Sequence, residues 1–526
     1  MRRLFLAIIL LFSLSFSQAC TPVNISLLAV LGDSSNHSSG GIINAHILPV
    51  ADRGSSIFID VSTTKYDKNL QTSLQDSYNA AEKVAGERGL AANCSALVSF
   101  NGNQEELGGP SGGLMFSLGF YELLTGEDLN LSSYGITGAI DKSGNVYPVG
   151  GILEKAEAAL KKKDKLIIPI TDRFDYILLK RFFSLDKVYF ASTIEDALSI
   201  LRGGSGVDPV PYLFPTNGVK VEGNSTLAYD FSPYYGALRS DYVNALNNVK
   251  GDIPKEATTF YEGLLNNADK EYSHGYDYTA SNDLFLATSE LMALDGIINN
   301  RDVKARAKSC LSTLEFPQPN YNNFEYIAGA KFRALRAYGM LSKASEDSTI
   351  SSKAYTIRGY AESYEWCQFA KQLLSKASSL EGPLLDQKVL KEKATSYLLK
   401  LNEDSLTGPA LDYYKLGLVS AAKGDYLTSL YYVAYLKAEL SEAPNITSYN
   451  SFWGRVFKSH ADFLNDSTTL LLANNLEANY NTINSYNIVS LESLVPKKQD
   501  PTNIALLELL LITLLLFGGR PWKSKA

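Results

Sequence analysis

Two short stretches of this chain carry residue types that can do covalent chemistry together. Gly109-Pro110-Ser111-Gly112-Gly113 places a serine hydroxyl at the head of an apolar run from Leu114 to Leu124. A helix beginning after Pro110 would hold Ser111 in its first turn, where backbone N–H groups lack partners and carry the positive end of the helix dipole. Such groups suit an oxyanion formed when a serine attacks a carbonyl. Gly109, Pro110 and Gly112 are therefore the candidate oxyanion and substrate-backbone positions, and Gly112 and Gly113 let a substrate backbone come close. Further along, Gly150-Gly151 breaks a strand and opens a helix with Lys155 in its first turn and a half. A lysine can act as base for a serine only when neutral, and burial or a nearby helix N-terminus lowers its pKa. Thr137 is the candidate hydroxyl to hold that amine. Taken singly, each signal is weak: a PSGG turn usually just caps a helix, and a lysine on a helix usually faces water. Lys161-Lys162-Lys163 is such a solvated face.

The register between the stretches is more telling. Gly109-Pro110-Ser111-Gly112-Gly113 is followed by Thr137-Gly138-Ala139, then Pro148-Val149-Gly150-Gly151-Ile152-Leu153-Glu154-Lys155, then Leu166-Ile167-Ile168-Pro169. In order and spacing this resembles the proteolytic domain of the Lon (S16) family, with its GPSAG, TGE and PIGG-x-x-EK motifs and an apolar strand ending in proline. The resemblance covers roughly residues 22 to 203 and is clearest from about Ser95 on. It implies a serine endopeptidase with a Ser–Lys dyad. Ser111 attacks, Lys155 takes the proton and returns it to the leaving amine, an acyl-enzyme forms, and Thr137 orients the lysine. Two departures stand out: Gly108 replaces the acidic residue that many members carry three positions before the serine, and Ala139 replaces the Glu of TGE. No GxxxxGK[ST] loop occurs in the chain. It is thus similar to archaeal secreted Lon-like proteases without an ATPase module, which implies cleavage without ATP. The implied partners are polypeptide substrates, unfolded or extended segments bound as an added β-strand. The resemblance alone implies a homo-oligomer.

The elements that must position these residues read as an α+β fold. ISLLAVLG, IINAHILPV, SIFIDVST, SALVSF and KLIIPI have strand composition, and helices are expected over about Leu70 to Gly86, from Ser111, from Gly151, and in TIEDALSIL. This Lon-type proteolytic domain is assigned to residues 20–204, with a Gly- and Pro-rich linker over 205–224. An all-α helical domain then occupies 225–490. Within it, Tyr413 to Tyr432 has the spacing of a tetratricopeptide hairpin through Leu416-Gly417, Gly424, Tyr426 and Ser429.

Both ends are apolar. Arg2 and Arg3, the apolar Leu4 to Phe16, and Ser17-Gln18-Ala19 form a signal-peptide pattern over 1–19. Residues 503–519 form a nearly unbroken leucine-rich run, about 24 Å long as a helix, followed by a basic tail over 520–526 with Arg520, Trp522, Lys523 and Lys525. These read as a transmembrane anchor in contact with membrane lipid, an aromatic belt and a cytoplasmic tail. The expected location is the cell membrane, single-pass, with the main body extracytoplasmic. Four cysteines suit such a compartment, with Cys310 and Cys367, and Cys20 and Cys94, as candidate pairs that the sequence leaves open.

The net charge of -7 gives no footprint for nucleic acid. The four histidines, His37, His46, His274 and His460, are scattered without metal-ligand spacing. No metal and no cofactor is expected. Two other functional readings remain: a non-catalytic binding or chaperone-like envelope protein using the Lon-type fold as a platform, and a structural subunit of the cell envelope assembled through its helices.

Overall fold

The computed structural model describes residues 20–32, 38–50, 54–62, 65–100, 106–216, 218–221, 223–227, 230–343 and 350–485. They form two compact units. The first takes the described residues within 1–217, 252–260 and 346–353; the second takes the rest.

The first unit is built on a seven-stranded sheet. Its strands are β1 (Val23–Gly32), β2 (Ser38–Val50), β3 (Ile57–Ile59), β5 (Ser95–Phe100), β7 (Tyr134–Ile136), β10 (Lys165–Pro169) and β11 (Val188–Ala191). Two short pairs lie outside it: β4 (Lys65–Tyr66) with β6 (Glu106–Leu107), and β8 (Ala139–Ile140) with β9 (Val146–Tyr147). The sheet order is β11-β10-β7-β1-β2-β5-β3. β1 and β2 form a long antiparallel pair, whereas β7 runs parallel to β1 and β10. Of the stretch read as a strand over SIFIDVST, only Ile57–Ile59 forms one, paired with β5.

Helices cover both faces, as the alternation of side chains along the strands requires. α1 (Lys68–Glu87), α2 (Gly113–Thr125) and α5 (Ile194–Leu201) pack over Val23, Ile25, Leu27, Ile47 and Val98. α3 (Ile152–Leu160) packs on β1, β2, β7 and β10, and α4 (Arg173–Phe182) packs beside α3. α1 buries Leu70, Leu74, Tyr78, Ala81 and Ala85, a stripe at three- and four-residue spacing. α2 has no solvent stripe: every residue from Gly113 to Leu124 except Glu122 is buried. It lies so close to the sheet that a Cβ on Gly119 would meet Ile47 Cδ1 at 2.7 Å. A disulfide joins Cys20 to Cys94. Within the stretch read as a linker, Leu213 and Phe214 are buried, and the Phe214 ring lies edge-on to Tyr176 and Phe260.

The second unit is helical. Its core is aromatic and holds a cation: the Arg333 guanidinium, 4% exposed, lies 4.2 Å from the Trp453 ring centroid and 4.3 Å from that of Phe369. Gly329 makes room for Trp453, whose ring would stand 2.4 Å from a Cβ there. Helices Gly408–Ala422 and Tyr426–Glu439 form a hairpin turning at Gly424, which has φ +77°, and Ser429 Oγ donates to Gly417 O at 2.8 Å. Cys310 and Cys367 form the second disulfide.

The expectation of a single-pass membrane protein is corrected here. Among the described residues no helix is long and apolar enough to cross a membrane. The runs behind that expectation, 1–19 and 503–519, lie outside the described residues, as does the tail 520–526.

Candidate active site

Ser111 lies in the turn that follows β6 and leads into α2. The helix begins at Gly113 with Gly112 as N-cap residue, so Ser111 stands just ahead of the first turn rather than within it. The cause is local: the Gly113 N–H closes a turn onto Pro110 O at 3.0 Å. The backbone of Ser111 is fixed from the neighbouring strand end. Its carbonyl accepts the Gly138 N–H at 2.9 Å and the Thr137 hydroxyl at 3.0 Å. Leu114 N–H donates back to Gly138 O at 3.0 Å. Thr137 is fully buried at the end of β7, and its own N–H donates to Ile167 O of β10 at 3.1 Å.

Most backbone N–H groups around Ser111 are already paired. Gly109 N–H is taken by Asp67 Oδ2 at 3.1 Å, Gly113 N–H by Pro110 O and Leu114 N–H by Gly138 O. Pro110 has no N–H. The amides of Ser111 and Gly112 have no partner among the described residues. Of the positions expected from sequence, Gly112 is thus the one whose N–H stays available, and Ser111 itself adds the second.

Lys155 projects from α3, four residues after the Gly151 N-cap, whose φ of +68° suits glycine. Its side chain is 3% exposed. Burial pushes its ammonium pKa from 10.5 down to about 8, against the opposing pull of the Glu154 carboxylate. Glu154 is buried too. Its Oε1 accepts the Ser351 N–H at 2.9 Å, a residue of the same compact unit.

The structure brings Thr137 and Ser111 together, but by a bond to the serine's peptide oxygen. Among the described residues no hydrogen bond joins Thr137 to Lys155, or Lys155 to the Ser111 hydroxyl. Catalytic contacts of this kind are often open without substrate and tighten on binding. Three site residues escaped the sequence reading: Asp67, Ser73 and Ser77 of the α1 region, which hold the turn around Ser111. Only Asp67 carries a local signal, as the N-cap of a helix. His37 lies outside the described residues, and no group of three metal-ligating side chains that could hold an ion is found among those described.

Residues 105–198 match the family described as Lon protease (S16) C-terminal proteolytic domain. A curated protein, the mitochondrial Lon protease homolog of Drosophila melanogaster, is 34% identical over 94 residues. That alignment covers 18% of this chain and only 9% of the relative. The matched segment contains Ser111, Thr137 and Lys155, and it supports serine peptidase chemistry. The similarity to the C-terminal proteolytic domain of the Lon protease (S16) family thus runs over residues 105–198.

Proposed function

We propose that this chain is a serine endopeptidase that cuts unfolded or extended polypeptide without ATP, using Ser111 as nucleophile and Lys155 as general base. The observation that carries the reading is the burial of Lys155, whose ammonium pKa falls to about 8. A lysine at that value is partly neutral near pH 7 and can accept a proton. Ser111 Oγ attacks the scissile carbonyl carbon as its proton passes to Lys155 Nζ. The carbonyl oxygen takes the negative charge and meets the N–H groups of Ser111 and Gly112. The C–N bond then breaks, the lysine proton goes to the leaving amine, and an ester on Ser111 remains. Water attacks that ester with Lys155 again as base. Cleavage without ATP is supported by the lack of a GxxxxGK[ST] loop in the 526 residues.

One observation favours a second reading, a non-catalytic platform: the Ser111–Lys155 hydrogen bond is not made among the described residues. The two readings part in a single assay. The purified chain is given a permanently unfolded protein without nucleotide, beside Ser111→Ala and Lys155→Ala. The protease reading expects cleavage by the wild type and a fall of at least about 10³-fold in both variants. Cleavage that survives either substitution refutes the dyad, and a wild type that never cleaves supports the platform.

A further inference from the structure

The turn that carries Ser111 is fastened along its length by one helix. Asp67, the N-cap residue of α1, divides its carboxylate between two elements. Oδ1 accepts the Leu70 N–H of its own helix at 2.7 Å, and Oδ2 accepts the Gly109 N–H at 3.1 Å. The short parallel pair sets this up, since Tyr66 lies opposite Leu107 and the Asp67 N–H donates to Leu107 O at 3.1 Å. Further along α1, Ser73 Oγ donates to Pro110 O at 3.3 Å and Ser77 Oγ to Gly113 O at 2.9 Å. The position before Gly109 is shaped around the same carboxylate. A Cβ on Gly108 would fall 2.6 Å from Asp67 Oδ2. Gly109 itself has φ +86°, a conformation from which its peptide would turn readily if released.

We infer that Asp67 is the positioning residue of the nucleophile turn, its carboxylate pinning Gly109 in the space that Gly108 leaves open. Ser73 and Ser77 hold two carbonyls of the turn, but Asp67 alone holds an N–H. By taking the Gly109 amide it fixes the peptide that leads into Pro110-Ser111, and it leaves the amides of Ser111 and Gly112 to the oxyanion. The bond is charge-assisted, stronger and more directional than a neutral contact. A shift of about 1 Å in a nucleophile can cost on the order of 100-fold in rate. The role of Asp67 in catalysis rests on Ser111 being the nucleophile; its hold on the turn does not.

The test uses the full chain with Asp67→Asn, Asp67→Gly and the double variant Asp67→Gly with Gly108→Asp. Asparagine keeps the helix cap but has one acceptor oxygen where two N–H groups need one. Three quantities are read: kcat and KM on an unfolded protein substrate, the rate of Ser111 acylation by a fluorophosphonate, and hydrogen exchange of the amides at 109–113. The expected result is a kcat lower by about tenfold in Asp67→Asn and about 100-fold in Asp67→Gly. KM should stay within about twofold, and the Gly109 amide should lose protection. The double variant, which returns a carboxylate from the other side of the 2.6 Å gap, should recover about tenfold in kcat and in acylation. Single variants with wild-type kcat, or with unchanged protection of Gly109, overturn the inference. If the wild type itself neither cleaves nor is acylated, the protease reading fails. The exchange comparison then still decides whether Asp67 holds the turn.

Discussion

The Thr137 hydroxyl donates to the carbonyl oxygen of Ser111 at 3.0 Å, and the next amide, Gly138 N–H, reaches the same oxygen at 2.9 Å. The threonine therefore fixes Ser111, the proposed nucleophile, through the serine's own peptide. Thr137→Val removes that donor at nearly constant volume inside a fully buried site. The expected cost is about 1 kcal/mol of stability, with kcat down by about tenfold through displacement of Ser111. Thr137→Ser, which keeps the hydroxyl, should retain most of both. Urea titrations and steady-state kinetics on the pair check this, and a fully active valine variant would show that the bond does not position the serine.

The pH dependence follows from Lys155. In the proposed mechanism its neutral form is the base, and burial brings its pKa to about 8. The rate of Ser111 acylation should climb about tenfold per pH unit below that value and level off above it. A profile flat between pH 6 and 9 would remove lysine from the role of base. Lys155→Arg, which stays protonated throughout, should be inactive at every pH.

The same burial predicts a stability gain on removing the charge. The unfolded lysine binds a proton below 10.5 and the folded one only below about 8. Between those values the unfolded state holds more protons, so the lysine's contribution to stability improves as pH rises through that window. Below about 8 its burial cost is fully present, about 3 kcal/mol at most. Lys155→Met should therefore raise the urea midpoint at pH 7 and lose much of that advantage above pH 10. A variant less stable than wild type at pH 7 would mean that the ammonium has a compensating partner.

The Cys20–Cys94 bridge closes a long loop, with a sequence separation of 74. Breaking it frees the unfolded chain and should cost about 2–4 kcal/mol. Cys20 also donates its N–H to Leu123 O at 2.7 Å, at the end of α2 far from Ser111. The double Cys20→Ser, Cys94→Ser variant should accordingly melt at a lower temperature while keeping kcat within about twofold at 25 °C. A large loss of kcat in a variant that is still folded would tie the bridge to the site.

Part of the fold around the proposed site was legible in the sequence. Ser111, Thr137 and Lys155 stood out through their register, and the apolar Leu114 to Leu124 announced a helix with no wet face, as α2 proves to be. Pro169 marked the end of β10. The start of α2 was misjudged by a turn's chemistry, because Gly113 spends its N–H on Pro110 before helical bonding begins. The membrane expectation came from residues outside the described part of the chain, and no described helix meets its length and polarity.

What the sequence determined by itself is whatever depends on neighbours along the chain: periodic burial, helix caps, and a motif register that places a serine, a threonine and a lysine in order. The tertiary structure alone decided what depends on distant partners. Asp67 reaches Gly109 across 42 positions, and Ser73 and Ser77 reach Pro110 and Gly113 across 37 and 36. Those contacts follow from sheet register and from the docking of α1 against α2, which no local spacing encodes. The low pKa of Lys155 has the same origin: a lysine on a helix faces water by default, and only burial in the folded chain lowers its pKa.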